Sequence, residues 1–89
     1  MSRREEWRPV LEAEVNRWSQ VPLDRLMDEL SDTQAYEVSA GSHEYQVEVE
    51  LLEDTDAYVR ISVAVDDGTL LYSWLPLSED ILRYKAASL

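Results

Sequence analysis

The sequence predicts an α+β domain: two N-terminal helices packed on one face of a four-stranded antiparallel meander, closed by a short C-terminal helix. Three observations predict it. Residues 45–51 and 59–65 each alternate apolar and polar side chains with a period of two, the mark of a strand with one buried face. Upstream, Trp7, Leu11, Val15 and Trp18 follow a helical stripe. Gly41-Ser42 and Asp66-Asp67-Gly68 stand where a meander needs turns. At 89 residues the chain is one domain with a modest core.

The first helix is expected over residues 5–20, with Pro9 in its first turn, where a missing N–H costs nothing. Trp7 and Trp18 on the stripe read as core anchors, and Glu12, Glu14 and Arg17 as solvent-facing. Residues 19–22 break the pattern. Pro22 then opens a second helix over residues 22–31, with Leu23, Leu26, Met27 and Leu30 as its apolar stripe. The corner is no DNA-reading helix-turn-helix, because the second helix is net negative and carries no basic face.

Strands are expected over residues 35–40, 44–52, 58–65 and 69–75. A two-residue Gly41-Ser42 turn sets 38 opposite 45 and 36 opposite 47. In the next hairpin, pairing 51 with 59, 49 with 61 and 47 with 63 matches apolar residues throughout. Ten residues then share the buried face: Tyr36, Val38, Tyr45, Val47, Val49, Leu51, Val59, Ile61, Val63 and Val65. An Asp67-Gly68 turn pairs 65 with 70 and turns Leu70, Tyr72 and Trp74 inward, the arrangement that buries more apolar area; a three-residue loop with Gly68 as a bulge turns Thr69, Leu71 and Ser73 inward instead. Ser78 then caps a helix over residues 78–85, with Glu79 and Asp80 in its first turn and Arg83 and Lys85 near its end.

The net charge of −11 is unevenly spread: residues 1–27 hold five acids and five bases, and residues 28–82 hold fourteen acids against Arg60 alone. Such a surface repels nucleic-acid backbones and anionic membranes, so neither is an expected partner. With no Cys there is no disulfide or thiolate site, and a cytoplasmic setting is the natural reading. No apolar run approaches the ~20 residues of a membrane span.

The chain offers little material for catalysis. His43 is the single histidine, beside the first turn, and has no Cys or second His with which to bind zinc. Residues 53–56, Glu-Asp-Thr-Asp, resemble part of a calcium loop but lack the Gly and the distal Glu that complete one. Gly41 and Gly68 are both spent on turns, so no glycine-rich phosphate loop exists. No catalytic residue, metal or cofactor is therefore expected, and the chain reads as non-enzymatic. A small enzyme using surface carboxylates is the remote alternative. The candidate contact surface is the outward face of the sheet: Glu48 and Glu50 beside Leu52, Tyr58 and Arg60, with Leu52 and Tyr58 expected opposite each other.

The acidic L-x-x-L-M-x-x-L helix from Leu23, followed by Y-E-V-S-A-G-S-H-E-Y-Q-V-E-V and Y-V-R-I-S-V-A-V, resembles small uncharacterised bacterial α+β proteins. Across residues 22–75 its element order is also similar to that of type III secretion chaperone-like proteins. That resemblance implies a small, acidic, cytoplasmic, dimeric protein, and assigns no residue a role. The expectation is a protein-binding module, chaperone- or adaptor-like. One alternative is an immunity- or antitoxin-like inhibitor that sets its acidic half against a basic protein. A homodimer through the sheet or an edge strand is the alternative use of the surface.

Overall fold

A computed structural model describes residues 3–68 and 77–85. Its order is α1 (Arg3–Ser19), α2 (Leu23–Glu29), β1 (Gln34–Ala40), β2 (His43–Asp54), β3 (Tyr58–Asp66) and β4 (Leu77–Tyr84), the strands forming one antiparallel sheet in sequence order. Among the described residues the helices cover one face of this sheet, and the other face is open.

All ten expected inward residues share that face. Tyr45, Val47, Val49, Val59, Ile61, Val63 and Val65 are buried, and Tyr36, Val38 and Leu51 pack against them. Trp7, Leu11 and Trp18 from α1, Leu26 from α2 and Leu30 just past its end close the core from above. Each fully buried large aliphatic side chain contributes roughly 1.5–3 kcal/mol, so this layer supplies most of the stability.

The first hairpin has the expected register, with Val38 opposite Tyr45 and Tyr36 opposite Val47. Gly41 has φ +64° and Ser42 has a negative φ, as a type II′ turn requires. The second hairpin is tighter than expected: Leu51 faces Ile61, Val49 faces Val63 and Val47 faces Val65, two residues from the expected pairing. The cause is a bulge at Leu52, between Leu51 and Glu53, that lets β2 run on to Asp54. A shift of two keeps every side chain on its own face, so the core is unchanged. The turn is held by Thr55, whose Oγ1 accepts from the N–H groups of Ala57 and Tyr58 and donates to the Tyr58 carbonyl.

Two expectations about helices are corrected. Pro9 lies in the interior of α1, which begins at Arg3. Extending the helix past a proline costs about 3 kcal/mol. Burial of Trp7, 1% exposed, offsets that cost. The C-terminal segment is no helix: residues 77–84 form β4, with Val65 opposite Leu77 and Ile61 opposite Ile81. A segment this short is marginal as a helix even with charged ends. As a strand it satisfies the backbone groups along β3 and buries Ile81 to 7% exposure. The strand expected over residues 69–75, with Leu70, Tyr72 and Trp74 inward, lies outside the described residues. Its pairing of 65 with 70 is replaced by that of 65 with 77.

Arg83, on the inner face of β4, ties the layers together: its NH1 donates to the carbonyl of Val21 at 2.9 Å, in the link between the helices.

Candidate functional site

The open face is built by the pleat. With odd-numbered residues of β2, β3 and β4 turned to the core up to the Leu52 bulge, the even ones face out, as do Ala35, Glu37 and Ser39 of β1. Glu48 stands between Ala35 and Ala64, and Glu50 pairs with Ser62, which pairs with Asp80. Glu37, Glu44, Glu48, Glu50, Glu53 and Asp80 therefore share this surface with one cation, Arg60, among the described residues.

Arg60 is the centre of the face. Its Nε lies 3.1 Å from Glu53 Oε1, and its NH1 4.0 Å from Asp80 Oδ2. The Nε is buried, and its contact with Glu53 is an ion pair without hydrogen-bond alignment. Glu53 also accepts a hydrogen bond from the Tyr58 hydroxyl at 3.0 Å. Tyr58 leans on Tyr84 across the strands, ring centres 6.1 Å apart and tilted by 60°. Among the described residues Leu52, Leu82 and Tyr84 are the exposed large apolar ones, at 49%, 46% and 72% exposure.

The structure places the five expected contact residues on one face but rearranges them. Glu48, Glu50 and Arg60 stand where alternation sets them. Leu52 and Tyr58 are not opposite each other: Leu52 is the bulged residue, and Tyr58 faces Tyr84. Leu82 and Tyr84 join the surface, which the sequence reading missed because it placed them on a helix.

The Glu53–Asp56 stretch is no ion loop. Glu53 turns to Arg60, and Asp54 Oδ1 lies 2.7 Å from Lys85 Nζ. His43 is exposed at the first turn, tilted against Tyr45 with ring centres 6.4 Å apart. Among the described residues no group of three or more His, Asp or Glu side chains converges as a metal site would. No described helix is long and apolar enough to cross a membrane.

A second polar cluster lies under α1. Glu14, expected in solvent, is buried at 9% exposure. The Tyr36 hydroxyl donates a short hydrogen bond to its Oε1, Arg17 NH1 reaches the same oxygen at 3.2 Å, and Trp18 Nε1 donates to the Tyr36 oxygen at 2.8 Å. The Arg17 guanidinium lies 5.4 Å from the Tyr36 ring centre. Burial, and then the hydrogen bond to Glu14, push the Tyr36 hydroxyl up to about 12. The signal was present in the spacing: 7, 11, 14 and 18 step by four, three and four, which places Glu14 on the buried stripe. Glu14 Oε1, the Tyr36 hydroxyl, Trp18 Nε1 and Arg17 NH1 each meet a partner within this cluster, as in a structural clamp between helix and sheet.

No family model matches the chain, and no match was found among curated proteins or among solved structures.

Proposed function

We propose that this chain is a small acidic protein-binding module, chaperone- or adaptor-like, that holds a basic partner against the open face of its sheet. The observation that carries this reading is the juxtaposition on that face of exposed Leu52, Leu82 and Tyr84 with Glu37, Glu48, Glu50 and Asp80. Apolar side chains supply contact area at the centre of an interface, and the carboxylates around them favour cationic partners and speed encounter. Arg60 is held by two carboxylates and leaves the surface acidic.

The same surface serves a second role equally well: an immunity-like inhibitor that covers the basic active surface of a target protein. The shared test is binding of basic proteins before and after reversing Glu48 and Glu50 to Lys, at low and high salt. The reading expects salt-sensitive binding that the double reversal weakens at least tenfold. Binding unchanged by the reversal would remove this face from the interface. In this reading the chain performs no chemistry, and a carboxylate-dependent enzyme remains the minor alternative.

A further inference from the structure

The free edge of β4 carries a second message. The Lys85 N–H donates to the Ala57 carbonyl at 2.8 Å, one step beyond the Tyr58–Tyr84 pair. Backbone bonding alternates along an antiparallel ladder, so odd-numbered residues of β4 bond to β3. Ser78, Asp80, Leu82 and Tyr84 then aim their N–H and C=O groups away from the sheet. No described residue pairs with them, and β4 has no proline, no bulge and no lysine among its outward residues, so its guards are the charges of Glu79, Asp80 and Arg83. Leu82 and Tyr84, two of the three exposed large apolar residues among those described, stand on this same strand.

We infer that β4 pairs antiparallel with β4 of a second copy, with Leu82 on the two-fold axis, to make one continuous eight-stranded sheet. The pairing must join outward-aimed residues to one another, which restricts the axis to a few positions. An axis at Asp80 sets two aspartates face to face. An axis at Ile81 sets each Asp80 against Leu82 of the other copy. The axis at Leu82 avoids both. It opposes Leu82 to Leu82 and, on each side, Asp80 to the Tyr84 hydroxyl of the second copy. On the helix side it opposes Glu79 to Lys85 twice. The chain is strongly acidic, yet Lys85, paired with Asp54 within its own copy, also lies where the two-fold axis turns it toward Glu79 of the second copy, while Arg83 faces Ile81. The other edge, β1, aims out Ala35, Glu37 and Ser39, with no large apolar residue. An edge-to-edge contact buries little area, so the dimer is concentration-dependent. It leaves both open faces on one side of the joint sheet and does not rest on the proposed partner binding.

The test is sedimentation equilibrium of the whole chain over a wide concentration range, with no partner present. The wild type is expected to rise from 10.3 kDa toward twice that mass. Leu82→Lys, which sets two ammonium groups on the axis, is expected to abolish the rise. Glu79→Lys, which sets two ammonium groups together on each side of the axis, is expected to weaken dimerisation at least tenfold. A wild type monomeric at every concentration overturns the inference, whether or not Leu82→Lys impairs capture of another protein. So does a dimer indifferent to Leu82→Lys or to Glu79→Lys.

Discussion

Tyr36→Phe isolates the clamp between α1 and β1. The substitution deletes one oxygen. That oxygen donates to Glu14, and it accepts from Trp18 Nε1 at 2.8 Å and from Arg17 NH1 at 3.3 Å. A hydrogen bond to a charged group contributes about 1.5–3 kcal/mol, and a buried donor left without a partner costs about 1–3 kcal/mol. Glu14 keeps Arg17, whose side chain is 60% exposed, and Tyr36 itself is only partly buried, so water screens part of the loss. The net expectation is a loss of about 2 kcal/mol. With a urea dependence of about 1 kcal/mol per molar for a small domain, the unfolding midpoint falls by about 2 M.

The effect also carries a pH signature. The Tyr36 hydroxyl is raised from 10.0 to about 12 in the folded state, so the unfolded chain loses this proton first. Its contribution to stability is complete below about pH 10 and fades as pH climbs toward about 12. The gap between wild type and Tyr36→Phe should therefore close over that window. The assay is urea unfolding of both proteins, followed by tryptophan fluorescence, at neutral pH and through that window. A loss under about 0.5 kcal/mol at neutral pH, or a gap indifferent to pH, would refute the clamp.

Other outcomes follow from the same geometry. Ile61→Ala, at a residue with 0% exposure in the middle of β3, should cost about 2–5 kcal/mol in chemical denaturation. Gly41→Ala meets no neighbouring atom but must hold φ +64°, so it should cost about 1 kcal/mol through backbone strain alone; a neutral result would argue against the turn type. Glu48→Lys with Glu50→Lys should leave the unfolding midpoint within about 0.5 kcal/mol of wild type, since these side chains make no described ion pair. Hydrogen exchange should show protected odd-numbered amides on β4 at Glu79, Ile81 and Arg83. Protection across all of residues 79–84 at concentrations too low for dimerisation would contradict the strand.

Much of the fold was legible because alternation and turn chemistry agreed. Gly41-Ser42 allowed one register, and that register joined apolar residues on both strands. The second hairpin had no such constraint. Its loop could be closed at several lengths, and a bulge at Leu52 leaves no trace in the apolar pattern, because a shift of two restores it. β4 was misread because its charges sit at helix-like ends while its neighbour β3, far away in sequence, decides its state by offering an unpaired edge. Glu14 shows the opposite failure: a stripe drawn through the apolar residues 7, 11, 15 and 18 left it off the buried face, whereas 7, 11, 14 and 18 bury it. Its partner Tyr36, twenty-two residues on, could not be read from α1 alone. Of the contact surface, Glu48, Glu50 and Arg60 followed from alternation. The patch made by Leu82 and Tyr84 depended on β4 and was hidden with it.

The proposed function is tested most directly by mapping where a basic ligand touches the chain. A synthetic peptide alternating lysine and leucine, titrated into isotope-labelled protein, provides the probe. The predicted result is a set of amide shifts on the open face, at Glu48, Glu50, Arg60, Leu82 and Tyr84, lost at high salt and in the Glu48→Lys, Glu50→Lys variant. Shifts confined to α1 and α2, or no shifts at all, would contradict it.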